Sequence, residues 1–475
     1  MPSRRTQARK ASRRLSAWAL VPLLASAFGG PRRGLQPEVE GRARAESGCR
    51  IAPVGFDGWS AQEITNRWLR LIVVPQLGGR LMQATFAGHS FLFVNAKYRG
   101  KDLPPSEDTQ RWINYGGDKI WPMPEGSEDP EHWPGPYSGV LDDGEYKFED
   151  DSSGGRCAAR LESPADARTG LQYSREITVG ADSPVILFGA EMKNASNHAI
   201  RWSVQSVTQY DTADAQNATR YNRDFWAFTR ANAQSAYLDG YHVRSGLAED
   251  PSYAVKDGMF KLHWMDLQGE VWVDSRAGWI AVVDGATRFA MVEQFKFERK
   301  AKYPGKATVI FYKNGPVVEM NGDGAPEIRT SAEDAPFYME AELNSPLVRL
   351  APAESYKFET EWLPTRAGTD FRGVTAAGAV GEPLEARAAG ERVKLTGRFG
   401  VFFGGRVTAH FYDRAGKEIA QDPLARVDPA MEWNLNAEVK APASAQRVAL
   451  RLTEAAGLDR GALAEAPIAR AAGSR

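Results

Sequence analysis

The stretch from Arg111 to Tyr146 holds the residues best suited to chemistry. Trp112, Trp121 and Trp133 stand there among Asn114, Tyr115, Asp118, Lys119, His132 and the acidic run Asp142-Asp143-Gly144-Glu145. An indole face packs against the C–H surface of a pyranose, while carboxylates, amides and ammonium groups bond its hydroxyls. Glycines and prolines interrupt the stretch, which predicts a long ordered loop of the kind that carries binding residues on a rigid scaffold. A loop that packs its tryptophans onto that scaffold is the plainer alternative. Gly116-Gly117-Asp118-Lys119 lacks the spacing of a phosphate-binding loop, and Pro122 and Pro124 leave no room for the helix such a loop needs. Asp142, Asp143 and Glu145 do not have the spacing of a calcium loop and read as a solvated acidic turn.

A second group is Glu340 and Glu342 in Tyr338-Met339-Glu340-Ala341-Glu342-Leu343. With a period of two they share one face of a strand. Crowded carboxylates raise each other's pKa, which suits a general base near neutral pH; an exposed acidic strand face is the alternative. Of the six histidines, His132 is the one inside the aromatic stretch, and none is paired with another at ligand spacing. No serine elbow or catalytic cysteine context is present, and no metal or cofactor is implied.

The elements that must position these residues are strands. Leu69–Val74, Arg80–Phe86, Tyr173–Val179, Val185–Met192, Trp202–Tyr210, Trp279–Val283, Phe289–Phe297, Lys306–Tyr312, Tyr338–Leu343 and Tyr356–Trp362 alternate or run apolar between turn residues. Asp284-Gly285 is a hairpin signal, and helical periodicity is weak throughout. The expectation is an all-β chain: a large antiparallel supersandwich over 49–366, a linker over 367–390, a small accessory β-sandwich over 391–455 and a disordered tail over 456–475. The 475 residues, with 43% hydrophobic and 25% charged, supply ample core. Lys+Arg 59 against Asp+Glu 60 gives no basic excess for a nucleic-acid partner.

Residues 1–28 read as a secretory signal peptide: six basic residues up to Arg14, an apolar run from Leu15 too short to span a bilayer, and Ala25-Ser26-Ala27 as a cleavage site. Arg13-Arg14 resembles a twin-arginine signal. Residues 29–48 form a flexible spacer. The mature chain is then periplasmic or secreted with no stable membrane anchor, and its formal net charge moves from −1 to about −7 on losing those six charges. Export permits Cys49 and Cys157 to pair; two reduced thiols are the alternative.

Several motifs in order resemble a known family. Val73-Val74-Pro75-Gln76-Leu77-Gly78-Gly79-Arg80-Leu81 is similar to the opening hairpin of the aldose 1-epimerase (galactose mutarotase)-like proteins. Asn194-Ala195-Ser196-Asn197-His198 resembles their Asn-containing turn, and Ser345-Pro346-Leu347 through Tyr356 their late proline segment. With Asn114 to Pro122 added, the order most resembles the DUF4380 domain family within that superfamily, over about residues 55–365. The resemblance implies the galactose-mutarotase-like fold, a carbohydrate ligand on one concave sheet, and isomerase chemistry in which a histidine acid protonates the ring oxygen and a glutamate base takes the anomeric proton. Glu340 falls where that glutamate is expected. Gln209 stands where the histidine is expected, and an amide is no acid. Gly116-Gly117 with Trp121-Pro122 also resembles the loop of hexose-6-phosphate epimerases, with His132 downstream.

The expectation for function is an exported carbohydrate-binding or carbohydrate-modifying protein. Glu340 and His132 are its candidate catalytic groups. Arg80, Asn114, Asp118, Lys119, Trp121, Trp133, Gln209 and Glu342 are its candidate substrate-binding residues. The second reading, drawn from the missing histidine, is a non-catalytic glycan-binding or surface-assembly module.

Overall fold

The computed structural model describes residues 48–104, 113–125, 132–135, 139–320, 326–329 and 336–470. The expected signal peptide, nearly all of the spacer, and Arg111 and Trp112 lie outside the described residues. All of the described residues belong to one compact unit, Ala45–Arg475.

The alternating runs become strands because period-two patterning puts every second side chain on one face. Two large antiparallel sheets result, as the sequence predicts. The first is 12-stranded, and its main path runs Arg50–Phe56, Trp59–Thr65, Leu69–Val74, Arg80–Phe86, Asp118–Met123, Ile200–Asp211, Tyr338–Asn344, Val309–Lys313, Gly269–Val273, His242–Ser245. The second is 10-stranded, with Trp279–Asp284, Phe289–Phe295, Ser355–Arg366, Ile186–Asn194 and Leu171–Gly180 side by side at its centre. Between the sheets lies a core that includes Leu81, Ile120, Val204, Leu343, Ile177 and Met291. Cys49 and Cys157 are joined by a disulfide across 108 residues, which fastens the start of the first sheet to strand Arg156–Glu162 of the second.

Three expectations are corrected. Asp118–Met123 is a strand, not part of a long loop. Its antiparallel partner is Ile200–Asp211 along its whole length, whereas Arg80–Phe86 meets it only at Leu81↔Asp118. Pro122 therefore has almost no neighbour on one side, and its missing N–H costs no ladder bond. The Ala/Gly-rich stretch read as a linker carries the strand Gly378–Ala389. Its small residues serve close packing: a Cβ at Gly378 would meet the Gly400 carbonyl oxygen at 2.1 Å. The segment read as a disordered tail carries the strand Asp459–Ala469; residues 471–475 lie outside the described ones. Both strands belong to an eight-stranded sheet of the C-terminal part, where they pair in parallel at Ala386↔Ile468.

That C-terminal sheet does not hang free. One apolar cluster joins its Phe399, Val401 and Leu463 to Phe228, Val283 and Val292 of the second sheet. The second sheet is thus covered on both faces, which explains the near-continuous apolar run of Trp279–Asp284. The first sheet's other, outer face carries Lys119, Glu340 and Glu342.

Candidate functional site

Register decides which side chains share that outer face, because directly opposed residues of antiparallel strands point the same way. Gln209, Glu340 and Tyr312 form one row across three strands, continued by Glu270. Lys119, Val207, Glu342, Ile310 and Trp272 form the next. Trp121, Gln205 and Asn344 form a third. The polar residues of strands Asp118–Met123 and Tyr338–Asn344 therefore converge on one surface.

Contacts tie the rows together. Lys119 Nζ lies 3.4 Å from Glu340 Oε1 and 4.4 Å from the centre of the Trp121 ring. Gln209 Nε2 donates to Glu340 Oε1 at 2.6 Å, and Gln205 Nε2 donates to Glu342 Oε2. Trp133 packs on Trp121 with ring centres 5.2 Å apart. The group is enclosed: Lys119 is 1% exposed, Glu340 5% and Glu342 6%. Burial pushes the Glu342 carboxyl well above the ordinary range, and the charges of Glu340, Glu270 and Glu125 add to it. Burial, with Arg80 nearby, lowers the Lys119 ammonium against the pull of Glu340.

Trp121 owes its place to residues read as a solvated turn. Asp142 and Asp143 are buried, and Asp142 Oδ1 accepts from Trp121 Nε1 at 2.7 Å and from Arg80 Nη2 at 2.8 Å. The backbone of Asp142 reaches this position over Gly78, where a Cβ would lie 1.8 Å from the Asp142 carbonyl oxygen. Burial and the adjacent Asp142 charge raise Asp143 to about 8.

Two expected binding residues are not on this surface. Asp118 points the other way, between the sheets, where it pairs with Arg175 of strand Leu171–Gly180 and accepts from Thr208 Oγ1 at 3.0 Å. One step of sequence reverses the face, so the neighbour of Lys119 becomes a core ion pair. Arg80 is fully buried; it spends its guanidinium on Asp142, on Asp143 at 3.1 Å and on the Gly116 carbonyl at 3.1 Å. With its Nη groups committed to these partners, it braces the site from below.

No family model matches the sequence, and no curated protein matches it. Solved structures similar to this chain include a galactose mutarotase-like protein from Clostridium acetobutylicum, at 10% identity and TM-score 0.44, covering 68% of this chain and 100% of that one. Another galactose mutarotase-like protein, from Lactobacillus casei, has 7% identity and TM-score 0.39, covering 66% of this chain and 99% of that one. A TPR-domain containing protein from Parabacteroides distasonis has 11% identity and TM-score 0.40; the match covers 68% of this chain and only 54% of that protein. Likeness of this degree carries no argument about function, which rests on the site.

Asn114 lies beside the face: its side chain accepts from the Gly116 N–H at 3.1 Å and bonds the Tyr338 hydroxyl. His132 is half-buried and precedes Trp133 in the chain. Gln205, Tyr312, Tyr338, Asn344 and Glu270 belong to the same surface and were missed, because their strands read as core. A signal for Gln205 was present: it is four residues from Gln209 in Trp202–Tyr210, hence on the same face.

Proposed function

We propose that this chain binds a saccharide on the outer face of the first sheet. Trp121 and Trp133 supply the apolar side, while Lys119, Gln209, Glu340, Glu342 and Asn114 supply the polar side. One observation carries the reading. Gln209 Oε1, Asn344 Oδ1 and Trp133 Nε1 are buried and have no hydrogen-bond partner among the described residues. Buried polar atoms are seldom left unpaired, and a polyhydroxylated ligand offers donors and acceptors to all three. Glu340 is the group we assign as general base, with His132 beside Trp133 as its candidate acid. The order of sequence motifs supports placing the chain with the aldose 1-epimerase-like proteins, and more narrowly with the DUF4380 domain family.

Titration calorimetry with monosaccharides and glycans tests the binding. Wild type should bind, and Trp121→Ala and Glu340→Gln should each weaken binding tenfold or more. If no sugar binds the wild type, the reading is wrong. The Gln209 amide favours the binding-only alternative, and magnetisation transfer between α and β anomers separates the two. Exchange well above the uncatalysed rate supports a mutarotase-like isomerase; its absence in a sugar-binding protein supports the module.

We also propose export to the periplasm or beyond. The basic-apolar amino terminus and the Cys49–Cys157 pairing support it, since disulfides persist in oxidising compartments. Fractionation with amino-terminal sequencing checks this: the mature chain should begin near residue 29 and be absent from the cytosol.

A further inference from the structure

The outer face of the first sheet does not end at the enclosed group. The row that holds Lys119, Val207 and Glu342 continues through Ile310 to Trp272 and, one strand further, to His242. Opposed residues share a face, so Trp272 stands on the same floor as Lys119. Four strand-to-strand steps separate the two, roughly 19 Å along the sheet at about 4.8 Å per step. That span is longer than a single pyranose ring.

Trp272 is held as a second platform. Its indole is half-buried, packed beside Met123, Ala307 and Ile310. Its Nε1 donates to Glu270 Oε1, just as Trp121 Nε1 donates to Asp142 Oδ1. A carboxylate thus fixes the orientation of each indole, and part of the Trp272 ring stays within reach of a ligand. The Arg244 guanidinium lies 5.7 Å from the centre of that ring. With Glu270 it sets hydroxyl-bonding groups beside an apolar face, the same pairing of chemistries as at Trp121 and Lys119.

Exposure changes in one direction along this floor. Trp121, Trp133, Lys119 and Glu340 are buried. Glu270 and Trp272 are half-buried, and His242 and Arg244 are exposed. A buried end has no exit for a continuing chain, so it admits only a terminal unit, and the units that follow leave towards Trp272.

We infer that this face takes an oligosaccharide by its end: the terminal unit occupies the enclosed group at Lys119, Glu340 and Trp121, and the linked units run across the strands to stack on Trp272. This rests on the saccharide reading above. Trp272 is then the residue that sets preference for length. Each linked unit adds contacts without a further loss of translational freedom, so affinity climbs until the chain reaches Trp272 and levels off beyond it. A monosaccharide fills the closed end and leaves Trp272 unused.

The test uses the full chain with malto-, cello-, manno- and N-acetylchito-oligosaccharides of one to six units, read by titration calorimetry. In at least one series the tetramer should bind tenfold or more tighter than the monosaccharide; this readout needs no variant to fold. Trp272→Ala should cut that ratio to about twofold, and Trp272→Phe, which keeps a ring, should retain most of it. A long polymer of the preferred unit tests the orientation. One protein should bind per chain end, and many along each chain would overturn terminal binding. A length gain untouched by Trp272→Ala overturns the role of Trp272. Monosaccharides that bind as tightly as every longer member of their series overturn the inference and leave the saccharide reading standing. No binding at any length overturns both.

Discussion

At the scale of single residues, adjacent positions take opposite duties. Lys119 faces the candidate site, while Asp118 closes an ion pair with Arg175 between the sheets. Removing one partner of a buried pair leaves the other uncompensated, at a cost of about 3–5 kcal/mol. Asp118→Asn should lower unfolding stability by about that much in urea, yet leave sugar affinity of the folded protein within twofold. Lys119→Met also removes one partner of a buried pair, so it should lower the urea midpoint comparably but, unlike Asp118→Asn, also weaken sugar binding of the folded protein. Glu293 gives a pH prediction. It is fully buried, accepts from the Tyr210 hydroxyl at 2.5 Å, and burial raises it to about 8 against the hydrogen bonds of Tyr210 and Thr208. The folded state keeps this proton while the unfolded state loses it near the ordinary value of about 4.3. Stability is therefore fully present at acid pH and declines as pH rises from about 4.3 towards 8, where the folded carboxyl also ionises. Glu293→Gln should flatten that decline in urea melts and raise stability at pH 8; an unchanged slope would count against the assignment, after allowing for Asp143 in the same window.

At the scale of elements, the sequence marks most strands and misplaces the one that matters most for the site. Leu69–Val74 and Arg80–Phe86 form as their alternation predicts, because one face of each meets the inter-sheet core. Asp118–Met123 was illegible for a physical reason: Lys119 and Trp121 are polar or amphipathic on its outer face, and Pro122 speaks against a central strand. Only the scarcity of a partner on the Pro122 side reconciles the two, and that is a tertiary fact. The glycines ahead of it were legible as a turn but not in their role. Gly116 has φ +97°, and a Cβ there would lie 2.2 Å from the Phe93 carbonyl oxygen. Gly116→Ala should cost more than about 1 kcal/mol, because both the backbone conformation and the space forbid a side chain. It should also shift Asn114 and Lys119 together, read as weaker sugar binding in the fraction that folds. Glu340 and Glu342 were legible as a pair on one face, since period two needs no tertiary knowledge. Their burial was not, because it depends on the strands and aromatic segment around them.

At the scale of the whole molecule, each large sheet has one face in common and one face apart. The second sheet gives its outer face to the C-terminal sheet, leaving the first sheet's outer face for the candidate site. Composition hid this arrangement, because the Ala/Gly-rich stretch 367–390 looks like a spacer until the close contact of Gly378 with Gly400 is seen. The disulfide ties the two large sheets to each other. Its 108-residue loop corresponds to roughly 4–5 kcal/mol in the chain-entropy model, so reduction, or Cys157→Ser, should lower the urea midpoint without moving sugar affinity. The C-terminal sheet is a stronger dependence. Truncation after Arg372 would strip the C-terminal members from the apolar cluster that holds Val283, Val292 and Leu363, and would leave Arg288 without its two bonds to Glu432, at 2.6 and 2.7 Å. An exposed apolar patch of that kind favours aggregation and loosens packing. The shortened chain should bind a hydrophobic dye strongly and lose a sharp thermal transition. If instead it melts cooperatively with little dye binding, the C-terminal part is an independent attachment, and the shared apolar cluster contributes little to the sandwich.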